Sequence, residues 1–152
     1  MDWMLMPLRR YAEFSGRSRR KEYWMYVLLL VIVGLVVGVV EGIVGLNGMI
    51  GGLYGPLSAL FLLATFIPSL AVGIRRLHDT NRSGWWMLIG VSPYVASAVL
   101  LYSGDLALAG ILGFVALAGA IVLLVFLVLE GTRGPNQYGP DPKGSEPEAV
   151  AA

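Results

Sequence analysis

The chain has 152 residues, of which 57% are hydrophobic and 14% are charged; its mean hydropathy is +0.72 and its formal net charge is +1. Soluble domains carry about 25% charged residues, so this composition excludes an ordinary soluble protein and predicts a membrane protein. Cysteine is absent and histidine occurs once, which excludes disulfides, thiolate nucleophiles and metal sites built from several Cys or His side chains of one chain.

Residues 1–23 are predicted to form a cytoplasmic N-terminal segment. Apolar side chains such as Trp3 are mixed there with Arg9 and Arg10, a pattern that suits a short segment lying in the plane of the lipid headgroups. We expect Pro7 to interrupt any continuous helix in this segment, because proline removes a hydrogen bond and clashes with the preceding turn. A disordered tail is the alternative interpretation.

Four apolar runs follow, and each is long enough, at about 17 to 25 residues, to cross a hydrocarbon core of roughly 30 Å as a helix. Lipid cannot satisfy backbone polar groups, so a helix is expected in every run. None of the runs alternates in polarity as a transmembrane strand would. The predicted spans cover residues 24–44, 53–74, 85–102 and 106–129. The remaining residues, 130–152, are predicted to form a cytoplasmic tail that is disordered at its end, because Pro, Gly and acidic residues dominate there.

The positions of the basic residues predict the orientation of the chain. All 11 Lys and Arg residues lie before the first span, between the second and third, or after the fourth. The other two connections carry no Lys or Arg; the charged residues there are the acidic Glu41, at the end of the first span, and Asp105. Basic residues are retained on the cytoplasmic side of short loops. The predicted fold is therefore an all-α, polytopic membrane protein with four transmembrane helices in a bundle and an N-in/C-in orientation.

Small residues in the first span suggest how the helices pack. Gly34, Gly38 and Gly42 recur every fourth residue and so share one stripe, which would let helix backbones approach closely. Packing within the bundle is the first interpretation, and a homodimer interface is the alternative. Pro68 and Pro93 lie inside the second and third spans, where each frees a backbone carbonyl. The polar side chains at mid-depth are uncharged at neutral pH, which argues against a self-contained ion-coupled pump.

Three polar segments are expected on the cytoplasmic side: "FSGRSRRKEYW" from Phe14, "IRRLHDTNRSGWW" from Ile74 and "EGTRGPNQYGPDP" from Glu130. Together they resemble domain of unknown function 805, a family of small bacterial inner-membrane proteins, over about residues 8–142. Asn81 stands where many members have glycine, but asparagine also tolerates a left-handed turn. The resemblance implies a four-helix inner-membrane protein, and it supplies no activity, substrate, cofactor or catalytic residue.

Local rules predict the shape of the middle segment. The second helix is expected to continue through Asp79, which places Arg75 and Asp79 at i and i+4 on one face. Ser83 is expected to cap the helix that opens at Trp85. Aromatic residues at the ends of the spans are predicted to anchor the chain at the lipid interface. These residues are Tyr23, Trp24, Trp85 and Trp86.

In a compact bundle the three polar segments would meet at the cytoplasmic mouth. Opposite charges interleaved there predict a salt-bridge network, partly shielded from water, that holds the helix ends together. Surplus arginines would instead bind phosphate, and the nearest phosphates are anionic lipid headgroups. The residues of this predicted cluster are Arg17, Arg20, Glu22, Arg75, Arg76, His78, Asp79 and Arg82.

The sequence contains no recognisable reaction centre. His78 could act as an acid or base, but adjacent helical residues point about 100° apart, so Asp79 is poorly placed to orient it. The chain has no nucleophile elbow, P-loop or HExxH pattern. The predicted function is a non-catalytic membrane interaction or scaffold protein, whose basic cytoplasmic face meets anionic phospholipid or a protein partner. An oligomeric small-molecule channel or exporter and an interfacial enzyme using His78 are the alternatives. We predict no cofactor, no metal and no nucleic-acid partner, and a homo-oligomer is left open.

Overall fold

The computed structural model describes residues 2–50 and 54–144, and this part of the chain contains helices and no β-strand. The first residue of the predicted second span, Leu53, and the predicted disordered end of the tail lie outside the described residues. The helices are α1 (Asp2–Arg9), α2 (Arg20–Val44), α3 (Pro56–Asp79), α4 (Met87–Ser103) and α5 (Leu106–Val128), and a 3₁₀ turn (Gly84–Trp86) precedes α4.

Four of these segments are long and apolar enough to cross a membrane, namely α2, α3, α4 with its 3₁₀ turn, and α5. They coincide with the four predicted runs, so the prediction of four membrane-spanning helices is confirmed at this level. The continuation of α3 through Asp79 is also confirmed. α2 begins at Arg20, before the predicted span that starts at residue 24. The additional first turn consists mainly of charged and polar residues. Ser83 caps the 3₁₀ turn, accepting a hydrogen bond from Trp85 N at 3.4 Å.

The prediction that Pro7 interrupts the N-terminal helix is wrong, as is the alternative of a disordered tail for residues 2–9. α1 runs through Pro7 without a break. Proline at this position removes one hydrogen bond from a helix of 8 residues, and the chain continues helically to Arg10, whose N–H donates to Met6 O at 3.0 Å.

The chain divides into two compact units. Among the described residues, the first unit contains residues 2–14 and 21–72, and the second contains residues 15–20 and 73–144. The first unit includes α1, most of α2 and the larger part of α3. The second includes the last two turns of α3, α4, α5 and the tail.

In the first unit, the backbone carbonyl that Pro68 frees has a partner. Pro68 has no N–H, so the carbonyl of Ala64 lacks its usual helical donor. The hydroxyl of Tyr11, in the segment after α1, donates to this carbonyl at 2.7 Å. The hydroxyls of Tyr26 and Ser69 lie 3.4 Å apart, which adds a polar contact between α2 and α3. Polar bonds of this kind hold helices together where lipid offers no hydrophobic driving force.

Also in the first unit, Glu41 near the end of α2 caps the N-terminus of α3. Its buried carboxylate accepts hydrogen bonds from Leu57 N at 2.6 Å, from Ser58 N at 2.9 Å and from the Ser58 hydroxyl. The first N–H groups of a helix have no partner within the helix, so an anion placed there is stabilised. A Cβ added to Gly55 would overlap this carboxylate, which explains the glycine at that position.

The predicted glycine stripe of α2 meets different surroundings along its length. A Cβ at Gly34 would lie 3.8 Å from the ring of Phe61 in α3, which is an ordinary contact distance. At Gly42 it would lie 3.2 Å from the side-chain nitrogen of Asn47, and at Gly38 it would meet no atom of the described residues within 4 Å. Close helix packing along the whole stripe therefore stays a prediction.

In the second unit, α4 and α5 pack closely through small residues. A Cβ at Gly119 would lie 2.5 Å from the carbonyl oxygen of Ile89, which is the carbonyl that Pro93 frees. A Cβ at Gly90 would lie 2.8 Å from the side chain of Leu123. The hydroxyl of Ser97 donates to Ala109 O at 2.8 Å. The absence of a side chain at Gly90 and Gly119 thus allows the backbones of α4 and α5 to approach each other closely.

Candidate functional site

Two arginines and one aspartate form a buried charged cluster in the second unit. The carboxylate of Asp79, at the end of α3, accepts hydrogen bonds from Arg17 Nε at 3.0 Å and from Arg76 Nη1 at 2.5 Å. At most 6% of any of these three side chains is exposed. We call Arg17, Arg76 and Asp79 the Asp79 cluster. The sequence predicted Arg17, Arg76 and Asp79 as members of one salt-bridge network without saying which of them pair, and it placed only Arg75 with Asp79 on a shared helix face.

The other guanidinium nitrogens of the Asp79 cluster bond to backbone carbonyls that follow or end α5. Arg17 donates to Thr132 O at 2.5 Å and to Gly134 O at 2.7 Å. Arg76 donates to Leu127 O at 3.0 Å and to Leu129 O. Two guanidinium groups face one carboxylate, and these carbonyls solvate the surplus positive charge. A buried charge needs such partners, because removal from water is costly.

The backbone of Asp79 also holds the segment after α5. Its carbonyl accepts hydrogen bonds from Thr132 N at 2.8 Å and from the Thr132 hydroxyl at 3.2 Å. A Cβ added to Gly131 would overlap the Asp79 carboxylate. Only glycine therefore lets the chain pass this close to the cluster.

His78 is fixed between two segments that are distant in sequence. Its Nδ1 lies 3.1 Å from Gly16 O, and because a carbonyl can only accept, Nδ1 carries the proton. Its ring stacks on Tyr138, with centroids 3.9 Å apart and planes 3° from parallel. The side-chain nitrogen of Asn136 donates to His78 O at 2.9 Å, and its oxygen accepts from Tyr138 N at 2.9 Å. The histidine thus joins the residues before α2 to the residues after α5.

Asp141 orders the last described residues. Its carboxylate accepts the backbone N–H of Lys143 and that of Gly134, each at 2.9 Å. These bonds favour the ionised form and hold the pKa of Asp141 below its usual value. The guanidinium of Arg19 donates to Pro142 O at 2.6 Å. The described part of the tail is therefore tied into a defined turn.

Four of the eight predicted cluster residues come together around Asp79, and the other four lie in different surroundings. Arg20 lies 4.0 Å from Glu130, and both side chains are about half exposed or more. The Arg82 guanidinium lies 4.0 Å from the ring centroid of Phe126, which is a cation–π contact. Arg75 and Glu22 are both buried, and Glu22 belongs to the first unit. The four that come together are Arg17, Arg76, His78 and Asp79.

Three of the four predicted interfacial aromatic residues are exposed, and Tyr23 is partly buried. Trp85 is 77% exposed, and Trp86 packs edge-on against Phe126 with centroids 5.1 Å apart. Tyr23 and Trp24 form a T-shaped pair with centroids 5.3 Å apart. These positions suit side chains that face lipid, and their anchoring role stays a prediction.

Sequence reasoning missed the residues of the last segment that complete the site. Thr132, Asn136, Tyr138 and Asp141 hold His78, Asp79 and the turn, although none was predicted as a site residue. The sequence did contain a pattern that could have indicated them, Asn-x-Tyr-Gly-x-Asp at residues 136–141. That pattern was used only for the family resemblance, and no structural role was predicted for it. Among the residues that the structure describes, no three His, Asp or Glu side chains are grouped so that they could hold a metal ion.

The four apolar helices, each long enough to cross a hydrocarbon core, indicate an integral membrane protein. The chain belongs to the family described as "Protein of unknown function (DUF805)", which matches residues 11–140. This finding confirms the resemblance seen in the three polar segments.

Two relatives from Escherichia coli (strain K12) match almost the whole chain. Inner membrane protein YhaI is 45% identical over 143 residues, which cover 94% of this chain and 97% of the relative. Inner membrane protein YhaH is 36% identical over 143 residues, covering 94% and 98%. Uncharacterized protein YiiR of the same organism is 29% identical over 136 residues, covering 84% of each chain. No solved structure matches the chain.

Proposed function

We propose that the chain is a non-catalytic interaction or scaffold protein of the bacterial inner membrane, with both termini in the cytoplasm and a basic cytoplasmic face that binds anionic phospholipid. The names of YhaI and YhaH support the inner membrane as its location. The confinement of all 11 cationic residues to three segments supports the orientation, since neither of the other two connections contains Lys or Arg.

A four-helix bundle is part of this proposal. Within the first unit, the cap that Glu41 provides for α3 ties α2 to α3. Within the second unit, the close approach at Gly90 and Gly119 packs α4 against α5. Two tightly joined helix pairs are the expected building blocks of a bundle with short connections.

The observation that carries the proposed function is the internal pairing of the Asp79 cluster. Every guanidinium nitrogen of Arg17 and Arg76 bonds to an oxygen of the protein. These two arginines therefore stabilise the fold, and their guanidinium nitrogens are already hydrogen-bonded within the protein. His78 has a matching role, because its protonated nitrogen and its ring face are both occupied by the protein.

Three exposed cations lie on the surface of the second unit. Arg133 and Lys143 are exposed, and their side chains form no hydrogen bond or ion pair with any residue that the structure describes. Arg20 is 48% exposed. Basic residues close to an anionic membrane surface contribute about 1 kcal/mol each to its attraction. The lipid-binding residues of this proposal are thus the exposed cations rather than the buried Arg76.

Native mass spectrometry tests the proposed function. The protein is placed in nanodiscs that contain equal amounts of a zwitterionic phosphatidylcholine and an anionic phosphatidylglycerol. We expect the ejected protein to retain mainly the anionic lipid, and we expect this preference to fall as salt screens the exposed charges. The variant Asp105→Asn, which changes charge at the other end of α5, serves as a control and should keep the preference. Equal retention of the two lipids at low salt would contradict the proposal.

A further inference from the structure

The second unit contains a cavity of about 360 Å³ beside the Asp79 cluster, and most of the residues that line it are charged. Four cationic residues line it: Arg17, Arg19, Arg133 and Lys143. Three carboxylates also line it: Asp79, Glu130 and Asp141. The volume lies within the range of small-ligand sites, roughly 300 to 1,000 Å³.

Each of the three carboxylates is already engaged by the protein. Asp79 is neutralised inside its cluster, where Arg76 approaches it in addition to Arg17. Both oxygens of Asp141 accept backbone N–H groups. Glu130 lies 4.0 Å from Arg20 and is 68% exposed, so it is the least compensated of the three. With Arg20 and Arg76 counted, six cations surround three carboxylates among the residues that the structure describes, so these residues give the cavity a surplus of positive charge.

We infer that this cavity binds a phosphate group, either as inorganic phosphate or as the headgroup of an anionic phospholipid. The inference rests on the proposed function and names the part of the basic face that makes the contact. Arg133 presents a planar guanidinium, which fits two phosphate oxygens at once, and Lys143 supplies a compact positive charge. Neither side chain has to give up a hydrogen bond or a close ion pair with a described residue in order to bind, and Lys143 has only an electrostatic attraction to Asp141.

The position of the cavity suits a lipid headgroup. Glu130 and Gly131 in its wall follow directly after α5, one of the membrane-spanning helices, so the cavity is expected at headgroup depth. The end of a helix carries a partial negative charge that would repel phosphate. Here the last carbonyls of α5 accept hydrogen bonds from Arg76, which reduces this repulsion.

Calorimetric titration with inorganic phosphate tests the inference on the full chain in two kinds of nanodisc. In zwitterionic nanodiscs we expect saturable phosphate binding, and we expect the double variant Arg133→Gln, Lys143→Gln to weaken it at least about tenfold. The matched control Arg9→Gln, Lys21→Gln removes the same charge from the first unit and should leave the affinity unchanged. In anionic nanodiscs, weaker apparent phosphate binding identifies the lipid headgroup as the natural occupant, and unchanged binding identifies free phosphate.

A gain of affinity separates the inference from simple loss of structure. Glu130→Gln removes the least compensated carboxylate and is expected to strengthen phosphate binding about fivefold. Unfolding cannot produce such a gain. Equal weakening by the two double variants, or no change with Glu130→Gln, would overturn the cavity as the site and leave the lipid preference of the face intact. Loss of the anionic-lipid preference with phosphate binding preserved would contradict the proposed function and not the cavity.

Discussion

Replacing Asp79 with alanine is expected to destabilise the protein by about 3 to 5 kcal/mol, because Arg17 and Arg76 would remain buried without their shared carboxylate. The measurement is thermal unfolding in detergent or nanodiscs, followed by tryptophan fluorescence. The exposed control is Asp2→Ala, which removes a carboxylate that is 83% exposed and lies 4.0 Å from Arg9. Such a pair contributes little, so this control should unfold at the temperature of the unaltered protein.

Two further variants separate the charge of Asp79 from its packing. Gly131→Ala keeps every charge but places a methyl group on the Asp79 carboxylate, and it should lower the unfolding temperature by a smaller amount. The combined replacement Arg17→Met, Arg76→Met, Asp79→Leu removes the charges together and should restore much of the lost stability. If Asp79→Ala unfolded at the same temperature as Asp2→Ala, the Asp79 cluster would not be holding the second unit together.

Glu41→Ala is expected to produce the second largest loss of stability. The substitution removes the acceptor of three hydrogen bonds from the first turn of α3 and leaves buried N–H groups without a partner. Ser58→Ala removes only the hydroxyl bond and is the matched control. We expect the drop in unfolding temperature for Glu41→Ala to be about twice that for Ser58→Ala or more.

A conservative variant at the same position refines this test. Glu41→Gln retains one oxygen acceptor in the same place, so it should recover part of the stability lost in Glu41→Ala. An alanine at Gly55 would displace the carboxylate and should resemble Glu41→Ala. A loss for Glu41→Ala no larger than that for Ser58→Ala would show that the carboxylate does not cap α3.

The sequence predicts the features of this fold that depend on neighbouring residues. Length and hydropathy predict the four apolar helices, because a helix that crosses lipid satisfies its own backbone. Local rules also predict the end of α3 at Asp79, the left-handed Asn81 at φ 58° and the Ser83 cap. Each of these features is determined by residues that lie within a few positions of one another in the sequence. Pro7 is the exception, since a short helix tolerates the loss of one hydrogen bond near its end.

The partners within the site could not be predicted in the same way. Arg17 and Asp79 are separated by 62 positions, and only the tertiary fold brings them together. Most of the acceptors around Arg17 and Arg76 are backbone carbonyls, among them those of Leu127 and Thr132, and a carbonyl has no residue-type signature. The role of Glu41 was missed for a related reason. The rule that orients membrane proteins counts cations and gives an acidic residue such as Glu41 no weight.

The proposed orientation is tested most directly by determining on which side of the membrane the Asp79 cluster lies. The chain has no cysteine, so single cysteines can be introduced without further changes. Ser15, Ser103 and Lys143 are exposed positions, and the first and last belong to the segments around the cluster. In intact bacteria treated with a membrane-impermeant maleimide, we predict labelling of Ser103→Cys alone, with Ser15→Cys and Lys143→Cys labelled only after the inner membrane is permeabilised. Labelling of Lys143→Cys in intact cells would contradict the cytoplasmic placement of the cluster and of the cationic surface proposed to bind lipid.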